Sequence, residues 1–259
     1  MLTNRVKAAL KHGKAVTGPF INEARTNGTI KMLAVAGHDF IVIDMEHAMF
    51  NWETTHNLVQ MALACDICPI VRVTDLSYQL VARALDTGAR GVMIPRVDDG
   101  EQVAAAVSYA KYPPLGRRGA GGAARIGYER RDPKTAIEES NAETMVVVQV
   151  ETVTAVENLG GIAEVAGVDV VCVGPHDLSI SLGMPGKYGD PAFINTLERI
   201  AATCQRHGVA AGMVEQEAAA FERWYGMGYR FLLCNSDGHM IAQAAQRDVA
   251  TLRGIIGQG

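Results

Sequence analysis

Two runs of valine-type residues end abruptly in carboxylates, and their spacing is suited to metal chemistry. The run VVVQV is followed by Glu151, and VVCVGPH is followed by Asp177. A charge at the end of a buried run needs a compensating partner, and two neighbouring carboxylates repel unless a cation or shared proton intervenes. An all-oxygen site suits a hard divalent cation such as Mg²⁺ or Mn²⁺. The alternative is an ion pair with a nearby arginine.

Other apolar runs also end in polar side chains. IVIDMEH ends in His47, VRV carries Arg72, and Gln149 and His176 precede the two carboxylates. A histidine has a reference pKa of about 6.5, which makes His47 a candidate proton acceptor. The Arg72 guanidinium can donate to an oxygen that gains negative charge during a reaction.

Regularly spaced elements must position these side chains. Eight Val/Ile-rich runs alternate with segments of helical periodicity, and the continuous apolar character of the runs indicates parallel strands buried on both faces. We predict strands at 16–21, 40–46, 69–73, 91–97, 145–151, 168–174, 209–214 and 229–235. Eight strands, each followed by a helix, favour an α/β fold of the (β/α)₈ TIM-barrel type, whose active site lies at the strands' C-terminal ends. An open doubly wound sheet would carry a Gly-rich first turn, and FINEARTNG is not one.

The chain is expected to be a single TIM-barrel domain over residues 1–259, a length common for such barrels. The longest connection, 112–141, is long enough to be functional. Its Arg117, Arg118 and Arg125 can line the site, hold a substrate carboxylate, cross a subunit interface or simply be solvated.

Composition excludes several classes of partner. The formal net charge of −4 argues against nucleic-acid binding. The sequence contains no apolar run of membrane-spanning length and no visible secretory signal, so no membrane partner and a cytoplasmic location are expected. The five cysteines do not suggest a disulfide framework. Cys65 and Cys68 form a CxxC that closes a helix, so we interpret them as packing residues and not as a redox pair.

Lysine placement distinguishes two ways of forming a carbanion. A Schiff-base enzyme needs a lysine that projects into the barrel. The lysines are residues 7, 11, 14, 31, 111, 134 and 187, and none lies in a predicted strand. The sequence therefore favours a metal-stabilised enolate.

Taken together, the motifs resemble those of a known enzyme family. They are IDMEH, VRV, GVMIPRVDDGEQ, KYPPLGRRGAG, VQVET with AVENL, and VCVGPHDLSISLGMPG. In this order they are similar to the metal-dependent class II pyruvate aldolases of the HpcH/HpaI, or 4-hydroxy-2-oxoheptanedioate aldolase, type. The resemblance covers about residues 18–238. It implies a TIM barrel whose last helix packs on a neighbouring subunit, usually in a homohexamer.

The resemblance also implies catalytic roles. Glu151 and Asp177 would hold a divalent cation (Mg²⁺, Mn²⁺ or Co²⁺), and His47 would be the catalytic histidine. Arg72 would stabilise the enolate, and Asp86 of ALDTGA would support His47.

The same resemblance implies substrate contacts. Arg72 and Gln149 would contact pyruvate or a related 2-oxoacid, and the backbone at His176 and Asp177 would hold its carboxylate. The second substrate would be an aldehyde, and the product a 4-hydroxy-2-oxoacid.

The sequence departs from the family pattern on the aldehyde side. His176 occupies a position that is often small or amide-bearing, and Met213 and Val214 reshape the end of the seventh strand. These departures affect the choice of aldehyde and leave the pyruvate half intact.

Two alternatives keep the barrel and change the function. An acyl-CoA lyase of the citrate-lyase or malyl-CoA type would add an adenine-phosphate pocket, and the sequence offers no motif for one. A non-catalytic ligand-binding barrel would have lost one of Glu151, Asp177, Arg72 or His47, and all are present.

Overall fold

The computed structural model describes residues 3–257 and confirms the (β/α)₈ barrel. Eight parallel strands close in sequence order, and the last pairs with the first. The strands are β1 (Val16–Ile21), β2 (Phe40–Asp44), β3 (Cys68–Arg72), β4 (Gly91–Ile94), β5 (Met145–Val150), β6 (Val170–Val173), β7 (Ala210–Glu215) and β8 (Tyr229–Ser236).

Helices surround the barrel in the same order. They are α1 (Arg5–Lys11), α2 (Asn27–Val35), α3 (Trp52–Ala64), α4 (Tyr78–Asp86), α5 (Gly100–Ala110), α6 (Pro133–Glu143), α7 (Val153–Glu157), α8 (Leu159–Glu164), α9 (Pro175–Ser181), α10 (Pro191–His207), α11 (Phe221–Gly226) and α12 (Asp237–Ile255). Two short 3₁₀ helices, Ala123–Ile126 and Ala218–Ala220, complete the regular structure. In residues 3–257 no helix is long and apolar enough to span a bilayer.

All eight predicted strands are confirmed, and several end earlier than predicted. β2 ends at Asp44 and β4 at Ile94, so the MEH and PRV segments belong to the loops above the barrel. In the PRV segment, Pro95 has no backbone N–H to donate to the ladder, and Arg96 adopts a positive φ of 52°. The helices begin where the sequence supplies caps, as at Asn51, Ser77 and Asp99, whose side chains accept backbone N–H groups.

Side chains alternate between the barrel interior and the helical layer. Interior positions form one apolar cluster that includes Phe40, Val42, Ile70 and Val147, while the intervening residues pack against the helices. The Phe40 and Phe231 rings stack inside the barrel with centroids 4.2 Å apart. Continuing this alternation to the C-terminal ends of β2, β3 and β5 places polar side chains on top of the apolar interior.

The predicted long connection at 112–141 is partly helical. α6 starts at Pro133 because Asp132 caps it, accepting the backbone N–H of Thr135. The preceding stretch contains the 3₁₀ helix Ala123–Ile126, and α6 then leads to the start of β5.

Candidate active site

The top of the barrel holds a buried polar layer built around Arg72. Asp44 and Arg72 are register partners on β2 and β3, and their side chains form a two-pronged pair with N–O distances of 2.8 and 2.7 Å. Asp44 is 0% exposed and Arg72 is 7% exposed. Because the guanidinium is held by a planar carboxylate, its orientation in the barrel is fixed.

The remaining contacts of Arg72 face the centre of the site. Nη1 donates to Gln149 Oε1 at 3.3 Å and lies 3.2 Å from Glu46 Oε2. The guanidinium also lies over the Phe20 ring at 4.4 Å. Arg72 and Gln149, both predicted to contact substrate, are therefore brought together, with Nη1 directed toward the cavity.

His47 lies on the loop after β2, and its side chain is 54% exposed. Its Nε2 lies 3.7 Å from Glu46 Oε2, and its ring lines the cavity above the barrel. Burial raises the pKa of Glu46, although the neighbouring Arg72 counteracts this effect. Glu46 thus links His47 to Arg72, a role that the sequence pattern alone does not indicate.

Glu151 follows β5 as a buried carboxylate, 4% exposed. Its Oε1 accepts a hydrogen bond from Gln149 Nε2 at 2.9 Å. Burial, followed by the negative charge of Asp177, raises the pKa of Glu151 to about 7. The two carboxylates therefore interact across the ends of β5 and β6, as the sequence predicts.

These residues fit a hard divalent cation. Within residues 3–257, neither Glu151 nor Asp177 forms an ion pair, because Arg72 pairs with Asp44 and Glu46. A side chain at Gly174 would place its Cβ 2.2 Å from Glu151 Oε1, so this glycine leaves the carboxylate its room. The described residues contain no cluster of three or more His, Cys, Asp or Glu suited to a metal. A cation here would rest on two carboxylates and leave open positions for a chelating substrate.

The β6–α9 turn supplies the other half of this site. α9 begins at Pro175, and its first intrahelical bond joins Leu178 N–H to Gly174 O at 3.0 Å. The N–H groups of His176 and Asp177 precede that bond and point outward from the helix end, where an anion is favoured. The His176 ring is exposed, with Nδ1 lying 3.3 Å from Tyr188 Oη.

A cavity of about 640 Å³ connects these groups. Its floor is the polar layer, with Arg72, Gln149 and Glu151. Its walls come from the loops after β2, β6 and β7 and from α10 and α11. A volume of this size accommodates two small substrates side by side.

The structure does not bring Asp86 to His47. Asp86 ends α4, and its Oδ1 accepts a hydrogen bond from Arg118 Nη2 at 2.7 Å. In the described chain the carboxylate beside His47 is Glu46. The support of His47 by Asp86 stays a prediction. The buried Arg118 holds the 112–132 segment against α4 through its bond to Asp86. The Arg118 and Arg125 guanidiniums both lie against the Tyr112 ring, at 4.9 and 4.8 Å.

The one deeply buried lysine of the described residues lies at the other end of the barrel. Lys111 donates to Asn141 O and Thr144 O, each at 2.6 Å, and burial lowers its pKa to about 7. Thr144 precedes β5, whereas Glu151 follows it, so the six residues of the strand place Lys111 roughly 20 Å from the cavity. The structure therefore agrees with an imine-free mechanism.

The cysteines are free in the described chain. Cys68 starts β3, and burial raises the pKa of its thiol to about 12. A high thiol pKa is the opposite of what redox chemistry needs, which supports their interpretation as packing residues.

Comparisons with known proteins agree with this geometry. The profile of the HpcH/HpaI aldolase/citrate lyase family matches residues 18–244. The chain is 33% identical to 2-keto-3-deoxy-L-rhamnonate aldolase from Klebsiella pneumoniae, over 98% of this chain and 94% of the relative. It is 33% identical to hydroxypyruvate/pyruvate aldolase from Cupriavidus necator, over 96% and 93% of the two chains. The crystal structure of an HpcH/HpaI aldolase from Desulfitobacterium hafniense superimposes with a TM-score of 0.92 at 33% identity, covering 95% and 96%.

Proposed function

The chain belongs to the HpcH/HpaI aldolase/citrate lyase family, and from this we propose that it is a divalent-metal-dependent aldolase acting on pyruvate. It makes or cleaves the C–C bond between the enolate of pyruvate, or of a related 2-oxoacid such as hydroxypyruvate, and an aldehyde. The product of addition is a 4-hydroxy-2-oxoacid. The names of the two relatives, a 2-keto-3-deoxy-L-rhamnonate aldolase and a hydroxypyruvate/pyruvate aldolase, support this proposal.

The strongest support for this proposal comes from Glu151 and Asp177, two carboxylates near Arg72 that form no ion pair with a lysine or arginine within residues 3–257, since Arg72 is bound to two other carboxylates. Glu151 is buried, and burial and the charge of Asp177 raise its pKa although Arg72 and Arg96 lower it. We propose that both hold Mg²⁺, Mn²⁺ or Co²⁺. When bound, such a cation would withdraw electron density from the keto group of pyruvate and acidify its methyl protons.

The protein's own residues orient pyruvate and stabilise the enolate. The N–H groups of His176 and Asp177 are placed to receive one end of the pyruvate carboxylate. Arg72 Nη1 can donate to the oxygen that becomes the enolate oxygen, and Asp44 holds the guanidinium ready for that bond. When the C–C bond forms, His47 accepts a proton from the pyruvate methyl group, and the resulting enolate carbon attacks the aldehyde carbon. The aldehyde oxygen takes up the electron pair and that proton.

His47 is proposed as the group that moves that proton. Its ring is exposed to the cavity and has Glu46 beside it. In cleavage the same imidazole would remove the proton from the 4-hydroxyl. A general base must reach that hydroxyl, and a ring on the cavity wall meets the requirement.

Replacing His47 with alanine is therefore expected to lower kcat by about 10²–10⁴-fold. Affinity for pyruvate and for the cation should change far less, because a base acts on the transition state. Steady-state kinetics and titrations of both ligands check the prediction, with His207→Ala, at an exposed residue of α10, as the matched control. A His47→Ala enzyme with unchanged kcat would return His47 to a structural role.

The proposal is tested by mixing the enzyme with pyruvate, a simple aldehyde and Mg²⁺ or Mn²⁺. Formation of a 4-hydroxy-2-oxoacid, seen by mass spectrometry, is expected. Turnover of acyl-CoA esters without this reaction would favour the citrate-lyase-type alternative. Absence of both reactions would favour a non-catalytic barrel.

We propose in addition a cytoplasmic homohexamer in which α12 docks on a neighbouring subunit. α12 exposes large apolar side chains at Ile241, Val249, Leu252 and Ile255. A helix with such a stripe needs a covering surface. Light scattering is expected to report a hexamer at micromolar concentration, and Leu252→Glu a smaller species. A monomeric wild type would refute the assembly without affecting the chemistry.

A further inference from the structure

The end of β7 brings carboxylates to the cavity that the proposed reaction does not use. β7 ends at Glu215, and the chain then turns through Gln216 and Glu217, all of which line the cavity. β7 neighbours β6, which carries the pyruvate-binding turn. A second substrate held beside pyruvate would therefore meet this turn.

Glu215 fixes the shape of the turn. Its Oε1 accepts the backbone N–H groups of Gln216 and Glu217 at 2.7 and 3.2 Å, and its Oε2 accepts Trp224 Nε1 at 3.2 Å. Trp224 is buried in α11 and also lines the cavity. Both oxygens of Glu215 are thus occupied, and the turn is held against α11.

This turn places Glu217 at the cavity, where no positively charged side chain of the described residues pairs with its carboxylate. The residue is exposed at the cavity, and its carboxylate has no hydrogen-bond or ion-pair partner within residues 3–257. Burial raises the pKa of Cys234 on β8, and the charges of Glu215 and Glu217 raise it further. The negative charges of Glu215 and Glu217 therefore both act on the end of β8 that carries Cys234.

Within the described part of the chain, no lysine or arginine that lines the cavity is free to balance Glu215 and Glu217. Arg72 is the one lysine or arginine among the described lining residues, and it is already paired with Asp44 and Glu46. Glu151 and Asp177 are matched by the proposed divalent cation, whereas Glu215 and Glu217 have no such match. An anionic second substrate would approach two like charges there, at a cost in binding.

We propose that the acceptor is an uncharged, hydroxylated aldehyde and that Glu217 excludes aldehydes carrying a carboxylate. This inference rests on the proposed aldolase function and specifies its second substrate. The hydroxyl groups of such an aldehyde can donate hydrogen bonds to the Glu217 carboxylate. The Gln216 amide and the His176 ring offer further polar contacts. The faces of Met213 and Trp224 cover the carbon chain.

The test compares glyceraldehyde with succinic semialdehyde as acceptors for pyruvate. Wild-type enzyme is expected to have the higher kcat/KM for glyceraldehyde. Glu217→Gln removes the charge at nearly constant shape and should raise the kcat/KM ratio of succinic semialdehyde to glyceraldehyde about tenfold, as loss of one like-charge contact at a solvent-open site predicts. Glu217→Lys should raise that ratio further.

Glu222→Gln is the matched control, because Glu222 is exposed on α11 and does not line the cavity; its ratio should equal that of wild type. A wild-type preference for succinic semialdehyde, or an unchanged ratio in both Glu217 variants, would overturn the acceptor assignment. Exchange of pyruvate methyl protons in D₂O separates this from failure of the aldolase function. If wild type exchanges those protons but prefers the anionic aldehyde, only the acceptor assignment is wrong.

Discussion

Glu151→Gln and Asp177→Asn are each expected to abolish activity with pyruvate at every cation concentration tested. Loss of a Lewis acid removes several kcal/mol of transition-state stabilisation, which corresponds to a decrease of about 10³-fold or more. Isothermal titration should detect no high-affinity site for Mn²⁺ in either variant. Glu157→Gln, in an exposed residue of α7, should retain both activity and binding.

Thermal melts of the same variants distinguish a metal site from a structural ion pair. Removing one partner of a buried ion pair strands a charge and costs about 3–5 kcal/mol. Here burial and Asp177 raise the pKa of Glu151 to about 7. The metal-free folded state thus binds this proton more tightly than the unfolded state, and its stability falls as pH rises from the ordinary glutamate pKa through about 7.

Metal-free Glu151→Gln is therefore expected to melt at or above metal-free wild type at pH 8. The difference should shrink toward pH 5, where the wild-type carboxyl is protonated in the fold. A steep fall in Tm for both variants, with chelator-treated wild type still active, would mean that the carboxylates hold the fold.

Arg72→Lys is the second substitution with a large expected effect. Lysine keeps the charge, so Asp44 is not left unpaired, but it loses the planar fork that makes two bonds to Asp44 and directs Nη1 into the cavity. Removing one oriented oxyanion donor costs about 10²–10³-fold in rate. Exchange of pyruvate methyl protons in D₂O, followed by NMR, should slow by this factor.

Two further variants control for that result. Arg83→Lys, in an exposed residue of α4, should exchange protons as wild type does. Arg72→Met should also lower the free energy of unfolding by about 3–5 kcal/mol, because it strands the buried Asp44 charge. Wild-type exchange by Arg72→Lys would remove Arg72 from the enolate-forming step.

The barrel and most of its polar layer follow from the sequence because both depend on local patterns. Continuous apolar runs mark strands buried on two faces, and a carboxylate or arginine at the end of such a run falls at the barrel mouth. Glu151, Asp177, Arg72 and Gln149 were found in this way. The alternation of side chains along β3 and β5 directs Arg72, Gln149 and Glu151 inward, whereas Asp177 lies in the first turn of α9.

Contacts that depend on register and loop shape were not predictable from these patterns. The pairing of Asp44 with Arg72 follows from the β2–β3 register, which only a strand alignment would have suggested. Glu46 adjoins His47 in the sequence, but its position between His47 and Arg72 depends on the conformation of the loop after β2. Asp86 lies in the predicted motif, but its carboxylate accepts a hydrogen bond from Arg118 of the long connection. No local sequence pattern predicts the path of that connection.

If Glu151 and Asp177 hold a divalent cation that is needed to form the pyruvate enolate, exchange of the pyruvate methyl protons without any aldehyde must depend on that cation. Wild-type enzyme treated with a chelator should cease to exchange pyruvate methyl protons in D₂O. Adding Mg²⁺, Mn²⁺ or Co²⁺ should restore exchange in wild type but not in Glu151→Gln. Borohydride added with pyruvate should leave the protein mass unchanged. Exchange that continues in fully chelated enzyme would show that the enolate forms without the cation, and a borohydride-trapped adduct on a lysine would show that it forms through an imine.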